Sequence, residues 1–147
     1  MIIYFISNHG VGMNKKNLKI LIVDDEKVSR TILINQLISL GISDLTITND
    51  GISAVELIEI ENQRGAIFDL VLCDFKMPNM DGLNLFNWIR TQRKLDKTQF
   101  IMVSAIDDTS LILSMKKAGL KEFILKPVEG LYLHKKIEKV CRFLRDA

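Results

Sequence analysis

From Lys19 onward the chain alternates short apolar runs with longer segments of helical period, and no other feature restricts the fold as strongly. The strand candidates are Lys19 to Asp24 (KILIVD), Leu45 to Thr48, Asp69 to Cys73, Phe100 to Val103 and Glu122 to Leu125. Short runs rich in Ile, Val and Leu suit strands buried on both faces. Helix candidates lie between and after them, at Lys27 to Leu40, Ile52 to Asn62, Leu83 to Arg93, Thr109 to Ala118 and Leu131 to Leu144. The last has a clear period: Leu133, Ile137, Val140, Cys141 and Leu144 share one face. Gly41 and Gly119 each follow a helical run, where a residue of positive φ ends it. The alternation predicts an α/β fold: five parallel strands, right-handed crossovers, and a doubly wound sheet with its ligand site at the carboxyl ends of the strands.

Composition narrows the function classes. At 147 residues the chain fits one domain, and its net charge of +2 with no block of like charges favours neither nucleic acid nor an acidic tail. Cys73 and Cys141 form no CxxC pair and sit in apolar runs, so buried reduced thiols are expected, as in a reducing cytoplasm. The opening Met1 to Ile6 is apolar for about six residues, against roughly 18 for a membrane span, and lacks a basic flank. Residues 1–17 are expected to be an extension outside the fold, with Met13 a natural start and residues 1–12 dispensable for stability.

The acidic residues give the scaffold its chemistry. Asp24 and Asp25 end the first strand and Asp74 follows the third, so three carboxylates converge on one crevice. Like charges this close raise one another's pKa unless a cation neutralises them, and hard oxygen ligands select Mg²⁺ or a similar ion such as Mn²⁺. Such a site suits phosphoryl transfer to a carboxylate. Ser104 ends the fourth strand with a hydroxyl and Lys126 ends the fifth with an ammonium, so a phosphoryl group on Asp74 would meet both.

The segments ILIVDDE (20–26), LVLCDFKMPNMDG (70–82), MVSA (102–105) and FILKP (123–127) are similar, in order and spacing, to the motifs of response-regulator receiver domains. The resemblance covers residues 18–145 and is nearest to stand-alone chemotaxis-type (CheY-like) receivers. It implies a flavodoxin-like (βα)5 fold with strand order 2-1-3-4-5, and a receiver domain over 18–147. It also implies that Asp74 is the phospho-acceptor, Asp25 a direct Mg²⁺ ligand, Asp24 a ligand mainly through water, and the backbone carbonyl of Lys76 a further ligand. Ser104 and Lys126 then match the phosphate-contacting hydroxyl and lysine, Phe123 the aromatic switch that follows Ser104 inward, and Lys126-Pro127 a cis peptide bond. Lys76 and Ile106 occupy the places that flank the path of the attacking water; neither can orient that water, which implies slow dephosphorylation.

The implied role is that of a phosphoryl acceptor in two-component or phosphorelay signalling, assisting its own chemistry without being an enzyme. A sensor histidine kinase or histidine phosphotransferase would donate, with Ser29, Arg30, Leu33 and Ile34 on the first helix as the expected docking face, and a downstream protein would respond. No nucleic-acid partner and no membrane insertion are expected. Each residue also has a plainer reading: Asp24, Asp25 and Ser104 as helix caps, Asp74 as a turn residue, Lys126 as a solvated charge, Phe123 as core. Three rivals stay open. One is the receiver portion of a longer regulator with a DNA-binding or enzymatic output. The others are a receiver that works without phosphate, and an aspartyl-phosphate phosphatase, whose second acid would stand where Lys76 does.

Overall fold

A computed structural model describes residues 17–142 of the chain. Apolar, β-branched runs form the strands β1 (Lys19–Val23), β2 (Asp44–Thr48), β3 (Leu70–Cys73), β4 (Gln99–Ser104) and β5 (Phe123–Leu125). The intervening segments form α1 (Lys27–Ser39), α2 (Gly51–Gln63), α3 (Gly82–Thr91), α4 (Thr109–Lys117) and α5 (Gly130–Cys141). The strands make one parallel sheet in the order β2-β1-β3-β4-β5, as the resemblance implied. Val23 pairs with Cys73, so β1 and β3 end level with one another.

Alternation along each strand divides the apolar side chains between two layers. Ile20, Ile22, Leu70, Leu72, Ile101, Val103 and Ile124 pack beneath Leu33 and Leu37 of α1 and Leu133 and Ile137 of α5. Leu21, Val23, Val71, Cys73, Phe100 and Met102 pack on the other side against Ala54 and Ile58 of α2, Leu85, Phe86 and Ile89 of α3, and Met115 of α4. Both cysteines are buried and unpaired with one another. Burial pushes the Cys141 thiol up to about 12.

Helix ends follow the sequence signals closely. Gly41 and Gly119 take φ values of 83° and 99°. Beyond them Ile42 and Leu120 donate back to Leu37 and Met115, which satisfies carbonyls the helices leave open. Most boundaries lie within one or two residues of expectation, and two of the shifts are instructive. β4 begins at Gln99, one residue early, because the Gln99 amide donates to the Asp69 carbonyl at 2.9 Å and pairs it with Leu70 of β3, while Thr98 just before it satisfies its hydroxyl on the Phe68 carbonyl at 2.8 Å. The third helix stops at Thr91, where Gln92 turns extended (φ −97°, ψ 112°), and a separate 3-10 turn at Arg93–Leu95 buries Leu95. The last helix is described to Cys141; Leu144 and residues 1–16 of the expected extension lie outside the described residues.

Candidate functional site

The site is built from ladder bonds that continue one residue past the strands. The Asp24 amide donates to Thr48 at 3.1 Å, that of Asp74 to Val23 at 2.9 Å, and that of Lys126 to Ser104 at 2.9 Å. These bonds bring the three side chains to one edge of the sheet. Asp24 is 1% exposed, Asp74 9% and Ser104 2%, while Asp25 faces solvent. Carboxylate oxygens of Asp24, Asp25 and Asp74 lie within 4.8 Å of one another.

The two buried carboxylates share Lys126, and each has a backbone partner of its own. Asp24 accepts from the Glu26 amide at 2.8 Å through Oδ1 and from Lys126 Nζ at 2.8 Å through Oδ2. Asp74 accepts from the Phe75 amide at 2.7 Å, and its Oδ2 lies 3.4 Å from Lys126 Nζ. Arg30 grips the acidic turn from beneath, donating from Nη1 to the Asp24 carbonyl at 2.8 Å. Burial alone would lower the pKa of Lys126. The hydrogen bond to Asp24 and the charges of Asp74 and Asp24 outweigh it, so the ammonium is held above its ordinary value. Burial, reinforced by the same two aspartates, pushes the neighbouring Cys73 thiol far up and leaves it a poor nucleophile.

The helix-cap readings of these residues do not hold. The cap of α1 is Glu26, with no side-chain bond; those of α2, α3 and α4 are Asp50, Asp81 and Asp108. Asp24, Asp25, Asp74 and Ser104 cap none of these helices, and the charge of Lys126 is turned into the acidic cluster. The Ile106 amide donates to the Ser104 hydroxyl across a long 3.5 Å, at the outer limit of a hydrogen bond. Lys76 is exposed and Ile106 half-buried, on the loops after β3 and β4. Phe123 is half-buried on the α3 and α4 side, bordering a groove of about 400 Å³ with Ile112, Leu125, Pro127 and Tyr132. The Lys126-Pro127 bond is cis.

The expected docking face needs correction. Leu33 is 2% exposed and belongs to the core, and Ser29, Arg30 and Ile34 are half-buried. The outward apolar residues of α1 are Val28 (64%), Ile32 (41%) and Ile38 (56%). Gly82, the first residue of α3, lies directly against the acceptor's backbone. A Cβ there would overlap the Asp74 carbonyl oxygen, so the acceptor's own backbone requires glycine at that point.

Comparison with known proteins agrees with this geometry. The family described as response regulator receiver domain matches residues 20–138, and the chain belongs to it. The chain is 33% identical over 125 residues to the chemotaxis protein CheY-3 of Vibrio cholerae, covering 85% of this chain and 92% of that protein. It is 32% identical over 123 residues to CheY of Pseudomonas aeruginosa, covering 84% and 95%. Among solved structures it resembles CheY in the CheX-CheY-BeF3-Mg complex of Borrelia burgdorferi, with a TM-score of 0.72 and 28% identity over 84% of this chain and 88% of that one. The protein is thus a CheY-like receiver domain of the two-component signalling class. No described helix is long and apolar enough to cross a membrane.

Proposed function

We propose that the protein accepts a phosphoryl group on Asp74 in the presence of Mg²⁺ and passes the change on through protein contact or onward relay, in the cytoplasm. The observation that carries this reading is the convergence of Asp24, Asp25 and Asp74 within 4.8 Å, with Lys126 against two of them. The donor set is all hard oxygen, open on the Asp25 side and closed by an ammonium on the other, which fits a small divalent cation that keeps several waters. Asp25 and Asp74 would hold the ion directly, Asp24 mainly through water, and the Lys76 carbonyl would complete the protein ligands. When bound, the ion neutralises charge on the transferring group.

The chain's own residues then have defined roles. A carboxylate oxygen of Asp74 forms the new O–P bond as the bond from phosphorus to the donor histidine nitrogen breaks. Lys126 balances the charge that arrives on the phosphoryl oxygens, and Ser104 donates its hydroxyl to one of them. Ser104 has only the 3.5 Å contact to give up and Phe123 is half-buried beside a groove, so neither side chain is locked in place when that contact forms. A sensor histidine kinase or histidine phosphotransferase is the donor, meeting the α1 surface at Val28 and Ile32. Mixing the protein with acetyl phosphate and Mg²⁺ tests the reading: intact mass should rise by one phosphoryl group. A chelator or Asp74→Asn should abolish the gain, and persistent labelling of that variant would overturn the assignment.

A further inference from the structure

The loop after the acceptor contains a tight turn whose geometry needs outside support. The Met80 amide donates to the Pro78 carbonyl at 2.7 Å across Asn79, which sits at φ 68°. An i to i+2 bond around a residue of positive φ is a rare and strained γ-turn, and strained turns persist where surrounding structure over-determines them. That support comes from α2, an element of a different βα unit. A Cβ on Gly51 would stand 2.7 Å from the Met80 carbonyl oxygen, 2.7 Å from its Cβ and 2.9 Å from its Cγ. Gly51 is buried, and its φ is not among the positive values, so space requires glycine here, not backbone conformation. The first turn of α2 is itself fixed, because Asp50 accepts from the Ser53 amide at 2.9 Å and the Ser53 hydroxyl at 3.0 Å.

We infer that Gly51 is a positioning residue for the metal-binding loop. By letting Met80 seat directly on the start of α2, it fixes the turn at Pro78 to Met80 and hence the Lys76 carbonyl upstream of it. Gly82 anchors the loop's other end, its amide donating to the Phe75 carbonyl at 2.8 Å. The loop is thus held from below by its own helix and from the side by α2. This inference rests on the proposed Mg²⁺ role of the Lys76 carbonyl.

Three variants of the full chain test it. Gly51→Ala pushes on Met80; Met80→Gly removes the side-chain part of the contact without adding atoms, and carries the test if the first variant fails to fold. Gly130→Ala is the control, since its Cβ would meet Gln36 at an ordinary 3.9 Å. Calorimetric titration with Mg²⁺ should give a dissociation constant raised about tenfold in both test variants, the scale expected when the support of a metal ligand is removed, and unchanged in the control. Without Mg²⁺, hydrogen exchange should quicken in residues 76–81 and stay constant in β1, which a general loss of stability would not do. At saturating Mg²⁺ the labelling rate should return to within about threefold of the parent's, because the acceptor is intact. If the parent binds Mg²⁺ and every folded test variant matches its affinity, the inference is overturned and the proposed function stands; if the parent binds none, both fall.

Discussion

Where β1 and β3 end, each buried acid is held through both carboxylate oxygens, with Lys126 reaching across from the end of β5, whereas Ser104 and Phe123, the groups expected to move on phosphorylation, are loosely held. Asp24 is gripped through both carboxylate oxygens and, from Arg30, through its carbonyl. Ser104 has a contact of 3.5 Å, and Phe123 sits half-buried at the edge of a groove on a strand of three residues. The difference follows from what each half must do. Clustered charges are costly to bury unless their partners are fixed. A switch needs two packings of similar energy, so its side chains need somewhere to go.

That contrast can be broken experimentally. Lys126→Ala should have the largest effect, because it strips the cation from two carboxylates whose side chains are 1% and 11% exposed. A loss near 3 kcal/mol in denaturant unfolding is expected, about the scale of a broken buried pair, with part of it regained on adding Mg²⁺. If Lys126→Ala and Ser104→Ala cost the same, the two halves are not held differently.

The lifetime of the phosphoryl group comes next. Replacing Lys76 with Asn and Ile106 with Glu supplies side chains able to orient a water, and decay after donor removal should quicken by about tenfold or more. Unchanged decay would show that these two side chains do not govern access.

A second buried acid shows what a purely structural pair does with pH. Glu122 is 8% exposed and takes Lys136 and Lys139 at 2.7 Å each. Burial would raise its pKa, but the hydrogen bonds from those lysines prevail and lower it from 4.5. A depressed folded-state value means that the stabilisation is complete above 4.5 and is lost as pH falls through the folded value. The melting temperature of Glu122→Gln should therefore lie below the parent's near neutrality, and the gap should close in acid. A gap independent of pH would show that the carboxylate charge is not what the lysines hold. The smallest effect belongs to Ser104→Ala, where a bond this long predicts a stability change below about 1 kcal/mol; a larger one would mean the hydroxyl is already locked.

The sheet was legible because its strands are buried on both faces and therefore read as apolar runs, and the acids and Lys126 were legible because they sit at the ends of those runs. The face of α1 was not legible. Val28, Ile32, Leu33, Ile34, Leu37 and Ile38 surround most of that helix, so periodicity alone could not tell the stripe against the sheet from the stripe in solvent. Ser29, Arg30, Leu33 and Ile34 do share a face, but only Leu33 is in the core and the other three lie half-buried along its border. The stretch between the third helix and β4 was not legible for a related reason: what satisfies Thr98 and what buries Leu95 lies elsewhere in the chain, as the Phe68 carbonyl does for Thr98. The seat of Met80 on Gly51 joins two separate βα units, and no local pattern announces it.

The most direct test of the account is to locate the phosphoryl group on the unmodified sequence. After labelling with acetyl phosphate and Mg²⁺, borohydride reduces an aspartyl phosphate to homoserine, and peptide mass mapping identifies the residue. The account predicts conversion at Asp74 alone, with Asp24 and Asp25 intact; conversion at either of those, or label carried without any change at Asp74, would contradict it.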